Sequence, residues 1–210
     1  MGRNNHMRSH LAYLAARLMA DDGIQDYRAA KRKAARQAGV ADTRELPDNQ
    51  EIEAALKTYQ SLYQAEEQPA ILRDLREIAV NAMERFAHFN PYLVGPVLTG
   101  TAGEHSDINL HLFADSAKEF EIFLLNEKSE FELETRNFTL NERTEAVPVY
   151  RLELDGAVIA AAVFERDDER IMQKHKADGR TVERAKRAEV KALLNAAPKT
   201  RTDRDWPGAT

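Results

Sequence analysis

The chain has 210 residues, of which 43% are hydrophobic and 31% are charged, a composition typical of a folded protein with a heavily charged surface. The absence of cysteine excludes disulfides, thiol catalysis and thiolate metal sites, so that site chemistry rests on carboxylate, imidazole and hydroxyl groups. The formal net charge is -5, and no apolar run approaches the roughly 20 residues that span a bilayer, so we expect no membrane association.

The first 90 residues are predicted to be helical. The first helix has one apolar stripe at the spacing i, i+3, i+4, i+7 and i+8, formed by Leu11, Leu14, Ala15, Leu18 and Met19. Arg17 interrupts this apolar stretch, which favours a cytoplasmic protein over one that carries an export signal. Three further helices are predicted, a basic one at 26–37 and two amphipathic ones at 52–63 and 72–86.

From residue 92 onward the pattern changes to short strands. Apolar, β-branched or alternating runs predict strands at 92–99, 107–113, 131–141 and 147–154, with a helix at 114–126. Asp155-Gly156 predicts a hairpin turn, and the run that follows is apolar on both faces, as in an interior strand. We therefore predict an α+β fold with a helical module at 1–90, a small mixed β-sheet domain at 91–165, and a C-terminal helix and tail at 166–210.

The segment 97–113, VLTGTAGEHSDINLHLF, carries the strongest indication of function. Its candidate residues lie at a glycine turn and at the start of the next strand, and they are Gly100, Thr101, Ser106, Asp107 and Asn109. Asp107 and Asn109 are two residues apart, so both side chains are expected on the same face of that strand.

This arrangement resembles the signature of the DNA polymerase β-like nucleotidyltransferases, and in particular a divergent bacterial group within that superfamily. In the family, a glycine turn precedes S-D-x-D on the next strand. The resemblance implies that Gly100, Thr101 and Ser106 bind the triphosphate of a nucleotide, and that Asp107 and Asn109 are catalytic residues that hold Mg²⁺. The implied activity is the transfer of a nucleoside monophosphate from a nucleoside triphosphate to a hydroxyl acceptor, because magnesium neutralises the charge that develops on the phosphoryl oxygens.

The sequence departs from the family pattern at three positions. Thr101 replaces the second Gly or Ser, Asn109 replaces the second carboxylate, and the predicted interior strand lacks the third carboxylate. Glu153 or Asp155 on the hairpin partner would supply that carboxylate only in a different register. The alternative is therefore a catalytically inactive protein that keeps the nucleotidyltransferase fold for binding or regulation.

Two further interpretations remain open. His105 and His111 would form a metal site with Asp107 if the fold brought them together, since imidazole and carboxylate groups both bind zinc or manganese. The segment 15–40 resembles the opening of tetracycline-repressor-type regulators, and residues 1–40 carry eight Lys or Arg against three Asp or Glu. A DNA-binding regulator that uses the basic N-terminal helices is therefore a third hypothesis, although the acidic, Pro47-containing segment that follows is unlike a recognition helix.

Overall fold

The computed structural model describes residues 2–40, 46–141, 143–171, 173–174 and 179–196, and the part of the predicted C-terminal tail at 197–210 lies outside this range. Seven α-helices are found within the described residues: α1 (Gly2–Asp21), α2 (Tyr27–Gln37), α3 (Asn49–Tyr63), α4 (Glu67–Arg85), α5 (Pro96–Thr99), α6 (Ala117–Asn126) and α7 (Arg187–Ala196). The six strands are β1 (Tyr92–Val94), β2 (Ile108–Ala114), β3 (Glu132–Leu140), β4 (Arg143–Leu154), β5 (Ala157–Glu165) and β6 (Gln173–Lys174). These elements confirm the predicted α+β class.

Helices α1, α2 and α3 pack around a core of small and aliphatic side chains. Ala15, Ala30 and Ala34 are fully buried there, next to Ile52 of α3. Such small side chains let the helix axes approach closely, so the contact is tight although it contains few large residues. At the start of α3, Asp48 and Glu51 form a reciprocal capping box that satisfies free backbone amides.

Helix α4 packs on the sheet instead of on the first three helices. Its Ala79, Met83 and Phe86 share a buried cluster with Leu110 of β2 and Ile159 of β5. Helices α6 and α7 contribute to the same cluster, so one face of the sheet is covered by three helices. The domain boundary predicted at residue 90 stays a prediction, but the last long helix before it belongs to the core of the sheet.

The six strands form one mixed sheet in the order β1-β2-β5-β4-β3-β6. Strands β2 and β5 are parallel, and the other neighbours are antiparallel. The predicted hairpin joins β4 to β5, and both turn residues have the positive φ that a type I′ turn requires, 51° at Asp155 and 82° at Gly156. Strand β5 lies between β2 and β4, which confirms that it is an interior strand.

The second face of the sheet carries its own, smaller apolar cluster. Alternate residues of β2, β4 and β5 form it, with Phe113, Val149, Ala160, Ala162 and Phe164 among the buried members. No long helix covers this face among the described residues. The side chains of Asn109 and His111 belong to this face, because they alternate with Ile108, Leu110 and Leu112, which are buried under the helices.

Candidate functional site

A glycine bend links β1 to α5 and lies directly beside the strand that carries the candidate residues. Gly95 has φ 73° and ψ -155°, a conformation available almost only to glycine. A Cβ atom at this position would lie 3.2 Å from Nδ2 of Asn109. Since β1 and β2 are antiparallel, with Val94 paired to Asn109, the glycine turn that faces the predicted metal ligand is at Gly95. Gly100, the predicted position, lies one helical turn further along the chain.

The loop around Gly100 and Thr101 has its backbone hydrogen bonds satisfied internally. The amides of Gly100, Thr101 and Ala102 all donate to the carbonyl oxygen of Pro96, at 2.9, 3.0 and 3.2 Å. From the other side, Gln60 donates to the carbonyl of Thr101 at 3.0 Å and Gln68 donates to those of Gly100 and Ala102 at 3.0 and 2.9 Å. These amides are therefore committed to the loop itself and do not point at a ligand.

Thr101 and Ser106 line a cavity of about 360 Å³ between the N-terminal helices and the loop. Its lining contains three carboxylates, those of Asp21, Glu67 and Glu104, and no lysine or arginine among the described residues. Ser106 Oγ accepts a hydrogen bond from the amide of Gly103 at 3.0 Å. An acidic lining repels the negative charge of a triphosphate, so this cavity is electrostatically unsuited to the predicted phosphate site.

Asp107 is engaged in an ion pair. Its side chain is only 8% exposed, and Oδ2 accepts a hydrogen bond from Nη1 of Arg151 at 2.5 Å. Gln25 Nε2 lies 3.4 Å from the other carboxylate oxygen. The bond to Asp107 is the main cause of a raised pKa at Arg151. Arg151 reaches Asp107 across β5, where the small Ala160 lies between Arg151 and Asn109 in register and leaves room for the guanidinium.

The remaining positions of a metal site are occupied by neutral or apolar groups. Asn109 Nδ2 donates to the backbone carbonyl of Asp107 at 3.2 Å. On β5 the residues that share this face are Val158, Ala160, Ala162 and Phe164, so the neighbouring strand offers no carboxylate there. Glu153 lies opposite Val158 near the hairpin, and Asp155 lies in the turn itself. Within the described ranges no group of three or more His, Asp or Glu side chains is arranged to hold a metal ion.

The predicted histidine pair is split between two places. His105 lines the acidic cavity, where its ring lies against Gly23. His111 is 4% exposed on β2, with its ring centroid 4.8 Å from that of Phe164 and 5.8 Å from that of Phe138. Burial lowers the pKa of His111 to about 3, so the imidazole is neutral at physiological pH.

A second cavity, which we call the concave cavity, lies on the open face of the sheet. It measures about 270 Å³, and its polar lining includes Asn109, His111, Arg136 and Lys174. A neighbouring cleft of about 690 Å³ shares Gly95 and Val182 with it. The lining of the concave cavity therefore carries two cations and no carboxylate among the described residues, the opposite balance to the cavity at Thr101 and Ser106.

Sequence reasoning missed Arg151, Gly95 and the two cations at Arg136 and Lys174. Gly95 had a signal, because it directly follows the run YLV and precedes a proline, a usual way to end a strand and begin a helix. The signal at Arg151 was weak. It is a charged residue in a strand with alternating polarity, and every solvent-facing position of such a strand shows the same pattern.

The basic helix of the regulator hypothesis is α2. Its Arg28, Arg32 and Arg36 are exposed and lie four residues apart, on one side of the helix. Segment 41–45, which follows it, lies outside the described residues. DNA binding therefore stays a prediction.

The chain matches none of the protein-family models and none of the curated proteins with which it was compared. Among the described residues, no helix has the length and apolar character needed to cross a membrane.

Proposed function

We propose that the protein is a nucleotidyltransferase-like binding module that holds a nucleotide without a catalytic metal ion. The observation that carries this proposal is the ion pair between Asp107 and Arg151. A carboxylate bound to a guanidinium at 2.5 Å is already neutralised, so it has little affinity left for Mg²⁺.

The charge balance of the predicted metal site supports the same conclusion. Magnesium binds through oxygen ligands and is favoured by negative charge, which two or three carboxylates normally supply. Here the carboxylate of Asp107 is paired with Arg151, and Asn109 is neutral. The β5 residue that lies between Asn109 and Arg151 is Ala160, which offers no ligand. A divalent cation at this place would have to displace or approach a fixed positive charge.

The concave cavity is the better location for an anionic ligand. Arg136 and Lys174 line it, and an arginine or lysine binds phosphate oxygens by charge-assisted hydrogen bonds without any metal. Arg136 is partly neutralised by an ion pair with Glu134, which leaves Lys174 as the stronger net charge at the rim. The cleft beyond Gly95 gives space for the part of a ligand that exceeds the cavity itself.

A magnesium-dependent nucleotidyltransferase remains the second candidate. It is favoured by one feature, the position of Asp107 and Asn109 at the start of β2 beside the glycine bend at Gly95. In that case Arg151 would have to leave Asp107 when the metal ion enters.

Calorimetric titration with ATP, GTP, CTP and UTP, in Mg²⁺ and in EDTA, separates these candidates. The binding module predicts equal affinity with and without metal, and a loss of about tenfold in Lys174→Gln, because a hydrogen bond to a charged group contributes about 1.5–3 kcal/mol. The control is Arg73→Gln, which removes a partly exposed arginine of α4 and should leave affinity unchanged.

Two other outcomes would overturn the proposal. Binding that requires Mg²⁺ and disappears in Asp107→Ala supports the enzyme. No binding of any nucleotide, together with salt-sensitive binding of duplex DNA that is lost when Arg28, Arg32 and Arg36 are replaced by Gln, supports the regulator.

A further inference from the structure

His111 contributes a polar side chain to the wall of the concave cavity. The residue is 4% exposed. A neutral imidazole offers one donor and one acceptor. At the wall of the concave cavity, such an imidazole can bind a ligand that carries complementary groups.

Asn109 provides a second polar group on the same wall. Its Nδ2 donates to the carbonyl of Asp107, while its Oδ1 accepts no hydrogen bond from the described residues. Asn109 and His111 are two residues apart on β2, so their attachment points are about 6.6 Å apart along the strand. Two such groups on one wall suit a planar ligand that presents several donors and acceptors along one edge.

The rest of the wall suits a flat ring. Ala160 and Ala162 of β5 line the cavity beside Asn109 and His111, and their small side chains leave the space that a larger residue would fill. Phe138 faces His111 edge-on and lines the same cavity. At about 270 Å³ the cavity is slightly smaller than a typical site for a complete drug-sized ligand, so it fits one ring system, while the cleft shared at Gly95 takes the remainder.

We infer that Asn109 and His111 form a subsite that recognises the base of the bound nucleotide by hydrogen bonds to the edge of its ring. This inference rests on the proposed function for the position of the phosphates, which Arg136 and Lys174 would hold at the rim of the same cavity. The two kinds of group contribute differently to binding. The cations attract any phosphate, whereas the neutral imidazole and the carboxamide distinguish one ring edge from another.

The test compares nucleotides with inorganic tripolyphosphate, which has the charge but no base. We expect His111→Phe, which keeps a planar ring of similar shape, to weaken the preferred nucleotide about tenfold and to leave tripolyphosphate affinity unchanged. Asn109→Ala should weaken the same nucleotide and reduce the preference among the four bases. His88→Phe, a change at an exposed histidine, is the matched control and should alter nothing.

A second readout keeps the base subsite separable from the phosphate site. In long-range ¹H–¹⁵N NMR spectra of the histidine rings, millimolar adenosine, guanosine, cytidine or uridine should shift the imidazole nitrogens of His111 and leave those of His88 in place. Nucleoside shifts without any triphosphate affinity would remove the proposed function and keep the base subsite. Nucleotide binding that is unchanged in His111→Phe, with no shift at His111, would overturn the subsite and keep the proposed function.

Discussion

The ion pair between Asp107 and Arg151 makes a quantitative prediction about stability. Charge centres about 4 Å apart attract by about 4 kcal/mol at an effective dielectric constant near 20. Desolvation of the Asp107 carboxylate, which is 8% exposed, and partial screening of Arg151, which is 28% exposed, offset roughly half of this attraction. We therefore expect Asp107→Asn to lower the free energy of unfolding by about 2 kcal/mol, or the melting temperature by about 4–8 °C for a chain of this size.

Urea unfolding of a double-mutant cycle with Asp107→Asn and Arg151→Met measures this interaction directly. The expected coupling energy is about 2 kcal/mol, with an unchanged dependence on urea concentration. The control cycle uses Arg73 and Glu77, an exposed i,i+4 pair at 3.1 Å, where about 0.3–0.5 kcal/mol is expected. A coupling energy below about 0.5 kcal/mol, or an Asp107→Asn protein that is more stable than the wild type in EDTA, would refute the ion pair. Either result would favour Asp107 as a metal ligand, because its negative charge is then uncompensated when the metal ion is removed.

Three further predictions concern stability. Hydrogen bonding to Arg8 lowers the pKa of Glu51 below its ordinary value of 4.5, so its stabilisation is complete above pH 4.5 and is lost as pH falls through the lower folded-state pKa. Thermal melts of Glu51→Gln should therefore show a deficit of roughly 1 kcal/mol at pH 7 that shrinks as pH falls below 4.5. The pKa of His111 is lowered from 6.5 to about 3, so as pH falls His111 is protonated in the unfolded chain before it is protonated in the folded one. In urea titrations, the free energy of unfolding of the wild type should therefore fall by about 2 kcal/mol between pH 7.5 and 5, and that of His111→Phe should not. Gly95→Ala should cost more than Gly100→Ala in the same assay, by about 1–2 kcal/mol, because a Cβ at Gly95 meets Asn109 at 3.2 Å whereas the nearest atom at Gly100 is 3.8 Å away; equal costs would contradict this.

The secondary structure was largely predictable because it depends on local patterns. The 3.6-residue spacing of Leu11, Leu14 and Leu18 predicts a helix, and Asp155-Gly156 predicts a hairpin, since each depends on residues close in the chain. The capping box at Asp48 and Glu51 was equally visible as D-x-x-E and was overlooked. Within the predicted C-terminal segment 166–210, helix α7 begins only at Arg187, because Ala185 forms a bridge to Leu93 at the edge of the sheet.

The candidate site was less predictable because it depends on the lateral order of strands. The pattern places Asp107 and Asn109 on one face of β2, but it does not say which strand lies next to them. Only the order β2-β5-β4 brings Arg151 across Ala160 to Asp107. A charge in a distant strand thereby changes the chemistry of a motif that looks like a metal site when it is viewed alone.

The magnesium dependence of ATP affinity tests the central claim most directly. If Arg151 has taken the place of the metal ion, calorimetry should give the same dissociation constant in about 5 mM EDTA and in about 5 mM Mg²⁺, within roughly a factor of two. That tolerance is well below a tenfold change in affinity, which corresponds to about 1.4 kcal/mol. An affinity that rises by tenfold or more with Mg²⁺, and that Asp107→Ala abolishes, would contradict the account and assign Asp107 to the metal ion.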